Sequence, residues 1–197
     1  PTIPGASKIW MMRLPGGGRS PHLDLEASVG QLDASLVSRV LPVGRLKARS
    51  IAWLEQAFQR GTATAGRLSY HGPVRKFPFR GGEGEFKARA DVRDASVVYF
   101  DGFAPLVGAA GTVEFLNAGL RGSLNAGEVG GLRLRDVQFA IADLKAPLIE
   151  VDAAGSGDLA KALAVVQGSP LGPQLGAQFM QLSGQGPADY SLRLRLP

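Results

Sequence analysis

Residues with chemistry to offer are few in this chain. Gly155-Ser156-Gly157-Asp158-Leu159-Ala160 spells GxGxxA between a strand-like run and a helix-like run. In a dinucleotide fold that spacing lets a pyrophosphate approach a helix N-terminus. The context here is wrong, because no parallel strand with an acidic residue about twenty positions on follows it. Capping of the helix by Ser156 or Asp158 accounts for the same letters. Glu83 with Glu85, and Glu150 with Asp152, stand two apart, so each pair shares a strand face. Glu150 and Asp152 fall on the wet side of their alternation, which assigns them to solvent. His22 and His71 lie far apart in the chain on polar strand faces, without identifiable carboxylates to complete a metal site. There is no GxSxG elbow, Walker A loop or HExxH, and the absence of cysteine removes thiolate chemistry and disulfides. The expectation is a non-enzyme with no catalytic residue, no metal and no cofactor.

Function must then reside in the elements themselves. Gly (27) and Pro (13) make up about a fifth of the 197 residues, against roughly 12 % in average usage. They sit between alternating runs, so they read as turn punctuation. Phe86, Ala88, Ala90 and Val92 alternate with Lys87, Arg89, Asp91 and Arg93, the period of a strand with one dry face. At Asp94 the phase slips, and Ala95, Val97 and Tyr99 carry the apolar side onward, as at a β-bulge. The same alternation recurs at Leu23–Val29, at Val113 and Phe115, and at Leu120 and Leu124. Leu132 and Leu134 hand over to Val137, Phe139 and Ile141 with a second slip at Asp136. Ile149 and Val151 follow, and Tyr190, Leu192 and Leu194 close the series opposite Ser191, Arg193 and Arg195.

KIWMMRL reads as a further strand, and KFPF as a strand-like segment at an edge or bend, since Pro78 cannot donate to a ladder. Two runs change period. Ile51, Leu54, Ala57 and Phe58 share a helical stripe that ends at Gly61, and a second helix covers 157–168. About ten strands at meander spacing, two short helices and no βαβ rhythm predict one mainly β domain over 1–197, a curved antiparallel sheet. Pattern alone leaves two fates for the dry face. It packs on a second sheet as a closed sandwich, or it stays open as a groove.

A net charge of +5 weakly favours anionic partners. The aromatics Phe86, Tyr99, Phe115 and Phe139 lie opposite the charges, which argues against a base-stacking platform and hence against nucleic acid. No run reaches the length of a transmembrane helix and no signal peptide opens the chain. Its first residue is Pro1, so it reads as a piece of a longer protein.

One ordered set of motifs goes further. Leu41-Pro42 is followed by Trp53, Leu54, Ala57 and Gly61, then GRLSYHG, Phe77-Pro78-Phe79, GEGEF and DLKAPLIEVDAAGSG. Ser169-Pro170-Leu171 and a closing LRLRLP complete it. Over residues 40–197 this order resembles the YhdP branch of the AsmA-like envelope proteins, relatives of TamB. One departure is Phe103-Ala104-Pro105, where that branch is expected to carry Trp-Pro. The resemblance implies a periplasmic β-groove, tethered in the inner membrane of a Gram-negative envelope, that conducts phospholipids towards the outer membrane. Phe86, Ala88, Ala90, Val92, Val97, Tyr99, Val113, Phe115, Leu120, Leu124, Leu132, Leu134, Phe139, Ile141, Ile149, Val151, Tyr190, Leu192 and Leu194 would then line it. Its partners would be acyl chains, membranes reached through other parts of the protein, and other envelope proteins. The alternative is a non-catalytic β-sandwich, a structural or interaction module in outer-membrane assembly.

Overall fold

Alternation bounded by turn residues becomes strand throughout. The structure is a computed structural model and describes residues 6–10, 21–33 and 58–196. Its strands are β1 (Ala6–Trp10), β2 (His22–Asp33), β3 (Phe58–Pro73), β4 (Glu85–Val97) and β5 (Leu106–Leu116). They continue as β6 (Gly119–Val129), β7 (Leu132–Ile141), β8 (Ile149–Asp158) and β9 (Pro187–Leu196). Each pairs antiparallel with the next in simple sequence order, and β9 does not return to β1. The described residues therefore form one curved, open sheet of nine strands, where about ten were expected. Eight inter-strand steps of about 4.8 Å make it roughly 38 Å across. No second sheet lies among the described residues, so the closed sandwich is set aside for them.

Local chemistry sets the turns and the bends. Gly130 and Gly131 form a two-residue hairpin loop with φ of 57° and 81°, the doubly left-handed turn that matches strand twist and favours glycine. Both phase slips are real. Asp94 and Asp136 take φ of 51° and 49°, where the β4–β5 register shifts between Val92 and Ala95 and the β7–β8 register between Arg135 and Gln138. The β5–β6 register shifts at Ala110/Gly111, in line with them. Bulges aligned across four strands crease the sheet along one row, which is how an open sheet acquires curvature.

The helix α1 (Leu159–Gln167) begins where Asp158 accepts from the Ala160 amide at 2.8 Å, so Asp158, not Ser156, is the cap. A single-turn helix, α2 (Ala177–Met180), follows it. The helix expected around Trp53 lies mostly outside the described residues. Its last positions, Phe58 to Gly61, belong to β3, so Gly61 does not terminate a helix there. Gly61 instead faces Ala95, whose Cα would sit 2.8 Å from an added Cβ. KFPF is not a strand either. A 3-10 turn at Val74–Lys76 precedes it in the β3–β4 connection, and its rings fold back onto the sheet.

Two apolar clusters occupy one face. Tyr70, Phe77, Phe79, Phe86, Phe115, Leu120, Ile141 and Leu144 gather near the rim formed by the β3–β4, β5–β6 and β7–β8 connections. Ala95, Ala109, Leu124 and Val137 form the second, at the row of bulges.

Candidate functional site

Cross-strand partners in a sheet share a face, so the register decides which predicted residues meet. Phe86 pairs with Tyr70, Ala88 with Phe115, Ala90 with Val113, and Val97 with Leu106. Phe115 continues to Leu120, Leu120 to Ile141, Ile141 to Ile149 and Ile149 to Leu196. Val92 is joined through Gly111 to Leu124, and Phe139 through Val151 to Leu194. Leu132 and Leu134 enter through Val129 and Gly127, and Leu192 and Tyr190 through Ala153 and Gly155. Eighteen of the nineteen candidates thus lie on a single face. Tyr99 lies beyond the end of β4 and so outside the ladder, and its ring sits 5.9 Å from that of Phe103 in the next connection.

The candidates differ in how much they show. Phe86, Phe115, Leu120 and Ile141 are buried beneath the β3–β4 and β7–β8 connections. Ala88, Ala90, Val92, Val113, Leu134, Phe139 and Val151 are only half-buried. Leu192, on the edge strand, is 46 % exposed. Glycines on neighbouring strands accommodate the rings of this face. An added Cβ at Gly122 would meet Phe139 Cζ at 2.5 Å, and one at Gly157 would meet Leu132 Cδ2 at 2.7 Å. Tyr190 lies over Gly155, and its hydroxyl donates to the Arg133 carbonyl at 2.8 Å. Burial raises the Tyr190 pKa, opposed by the Arg135 charge. The glycines of GxGxxA are therefore packing positions in an antiparallel ladder, which leaves no nucleotide turn.

The opposite face is polar and cross-linked between strands. Asp152 pairs with Arg193 at 2.6 Å, Glu150 with Arg195 at 3.0 Å, and Asp189 with Arg135 at 2.9 Å. Glu114, 5 % exposed, accepts from Arg121 Nε at 2.9 Å and lies 3.6 Å from Lys87 Nζ. Burial pulls its carboxyl up, but the Arg121 hydrogen bonds and the Arg121 and Lys87 charges outweigh that and hold it below its ordinary range. A shallow, open depression of about 440 Å³ lies here, lined by Arg89, Glu114, Arg121, Gln138 and Asp152. The two histidines, far apart in sequence, meet at one carboxylate: His71 Nδ1 is 3.2 Å and His22 Nε2 3.8 Å from Asp24 Oδ1. Among the described residues no group of His, Asp or Glu could hold a metal ion. None of their helices is long and apolar enough to cross a membrane.

Several members of the apolar face stand outside the nineteen candidates. Leu23 and Leu25, whose alternation the sequence already displays, pack on it with Leu68 and Tyr70 of β3. Phe77, Phe79 and Leu144 also belong to it, but they sit in connections without periodicity, and nothing local points to the face they cover.

No solved structure matches the chain. It is 25 % identical over 177 residues to a protein of Escherichia coli (strain K12) named intermembrane phospholipid transporter YhdP; the alignment covers 90 % of this chain and 14 % of that relative. The chain thus spans about a seventh of the relative's length. The family model described as YhdP protein matches residues 6–197, and the chain belongs to that family.

Proposed function

We propose that this chain is a groove segment that shields phospholipid acyl chains from water while they pass between the two membranes of a bacterial envelope. One observation carries the reading: among the described residues an apolar face runs from β2 to β9, roofed by the β3–β4 and β7–β8 connections at its aromatic end, on a sheet whose opposite face is charged. The relative's name as an intermembrane phospholipid transporter supports the same reading. Burying each methylene is worth about 0.8 kcal/mol, so an acyl chain is strongly held. The contact has no directional bonds, so the chain can slide along it.

A width of roughly 38 Å for nine strands exceeds the roughly 15 Å of hydrocarbon in one leaflet, so a lipid's tails fit across it. The cross-linked polar face would look outwards to the periplasm. Anchoring in the inner membrane would come from other parts of the protein. The work is transfer, and no residue here is assigned to bond-making.

The test is lipid co-purification. The chain, isolated without harsh detergent, carries phospholipid by native mass spectrometry. Val151→Asp and Leu192→Asp put charge on half-buried and exposed positions of the apolar face, where the fold tolerates it. Both variants lose lipid while keeping the parent's circular dichroism. A lipid-free parent, or lipid retained by both folded variants, refutes the reading.

A further inference from the structure

The connections at the aromatic rim do more than reverse the chain. Arg80, in the β3–β4 connection, donates from Nε and Nη2 to the two oxygens of Asp143, in the β7–β8 connection, at 2.7 and 2.6 Å. Strands β4 to β7 lie between these connections, so the pair reaches across the sheet instead of along a hairpin. Asp143 is preset for this, because it also accepts from the Lys145 amide at 2.8 Å. The residues beside the pair are apolar and turned in. Phe77 and Phe79 are 9 % and 2 % exposed, and Leu144 is 6 % exposed. Beneath them lie Phe86, Phe115, Leu120 and Ile141. The β5–β6 turn joins the same rim, with the Leu144 amide donating to Ala118 at 2.8 Å.

The strands below are held by continuous ladders, whereas the connection is held by its rings, by local bonds such as that of the Val74 amide to the Pro21 carbonyl at 2.9 Å, and, across the sheet, by this pair. The pair itself faces water, with side chains 44 % and 35 % exposed. An exposed pair adds little to global stability, but a two-pronged arginine–carboxylate contact sets position. A weak, position-setting tether over an apolar surface is what a releasable cover requires.

We propose that the Arg80–Asp143 pair latches the Phe77–Phe79 connection over the aromatic end of the apolar face. Its release uncovers Phe86, Phe115, Leu120 and Ile141 to an acyl chain. The proposal rests on the acyl-chain reading above and adds to it a gated part of the surface. The arriving methylenes replace the contacts that the rings give up, which offsets part of the cost of lifting Phe77 and Phe79 off the face, and loss of the tether lowers that cost further.

The latch is tested with Arg80→Gln, Asp143→Asn and the charge swap Arg80→Asp/Asp143→Arg. Amide hydrogen exchange reads the cover, and native mass spectrometry counts the phospholipid. The Phe79 and Gly82 amides, which donate to Lys76 and Phe79, exchange about threefold faster in either single variant. Amides of β4 and β5 keep the parent's protection, which shows that the sheet is intact. Both single variants carry more phospholipid per chain than the parent, and the swap restores both readings. Unchanged exchange in the single variants overturns the latch. Faster exchange with the parent's lipid content overturns the gate. If the parent and every variant are free of lipid, the acyl-chain reading falls, and the gate with it.

Discussion

Where Tyr70, Phe77, Phe79 and Phe86 meet, the apolar face is filled by rings whose centres lie 5.2–6.2 Å apart. Along the row of bulges it is floored by Ala95 and Ala109, with Gly61 and Gly111 beside them. Alternation is the same in both places, yet the two ends respond to opposite demands. At the rim, side chains must fill the space that a cover encloses. At the crease, the backbones approach so closely that side chains must be small. An added Cβ at Gly111 would come within 2.1 Å of the Ser123 carbonyl oxygen. One sheet thus carries an end filled by rings and a crease where alanine and glycine pack beside Leu124 and Val137, and sensitivity to side-chain size should reverse between them.

The largest effect is expected at the filled end. Phe79 is 2 % exposed and touches both Tyr70 and Phe77. Truncating it to alanine leaves a cavity and costs about 3–5 kcal/mol, read as a lowered urea midpoint with the slope unchanged. A cost under about 1 kcal/mol would mean that the rings are not packed as a core. At the crease the opposite substitution hurts. Ala109 is 1 % exposed, so Ala109→Leu overpacks the crease and costs about 1–3 kcal/mol. If that leucine were neutral, the small residues there would not be a demand of the bend.

How far these two ends could be read in advance follows from the range of the forces that build them. The strand faces are written locally, as a period of two, so eighteen groove candidates came out on one face. The slips at Asp94 and Asp136 are equally local, since one extra residue shifts the phase. The Asp158 cap is legible for the same reason. The cover is not. Phe77 and Phe79 follow a proline-broken turn with no period, and their destination depends on sheet curvature. Arg80 meets Asp143 from 63 residues away, and His71 meets Asp24 from 47 away. Both encounters need the full register, which no window of sequence contains. At Tyr99 the alternation outran the strand, which ends at Val97, so that residue has no place in the ladder.

A smaller effect tests the crease itself. Asp94 holds φ at 51°, a region short polar residues tolerate and β-branched residues do not. Asp94→Val should cost about 1 kcal/mol, while Asp94→Gly should be nearly neutral. Equal effects of the two in urea unfolding would show that the bulge is not a left-handed position in solution.

The smallest effect separates the ends by pH. Hydrogen bonds from Arg80 are the main reason the Asp143 carboxyl sits below its ordinary value. Burial opposes them, and the Lys145 amide and the Arg80 and Lys145 charges add to the lowering. A carboxyl depressed on folding contributes stability above its unfolded pKa, about 3.9. That contribution is lost as pH falls through the lower, folded value. Exchange in the 77–82 connection should therefore stay level from neutral pH down to about 5, once corrected for the intrinsic rate, and rise below about 4. Glu83, in the same connection, is lowered chiefly by its own backbone amide, and Glu114 is lowered on the polar face, so both add steps in that window. Arg80→Gln removes only the Asp143 share. Its acid step at Phe79 and Gly82 should be shallower than the parent's, with that of β5 and β6, beside Glu114, unchanged. Equal steps at Phe79 in parent and variant would mean that the ion pair does not hold the cover, and that the rings alone close the aromatic end.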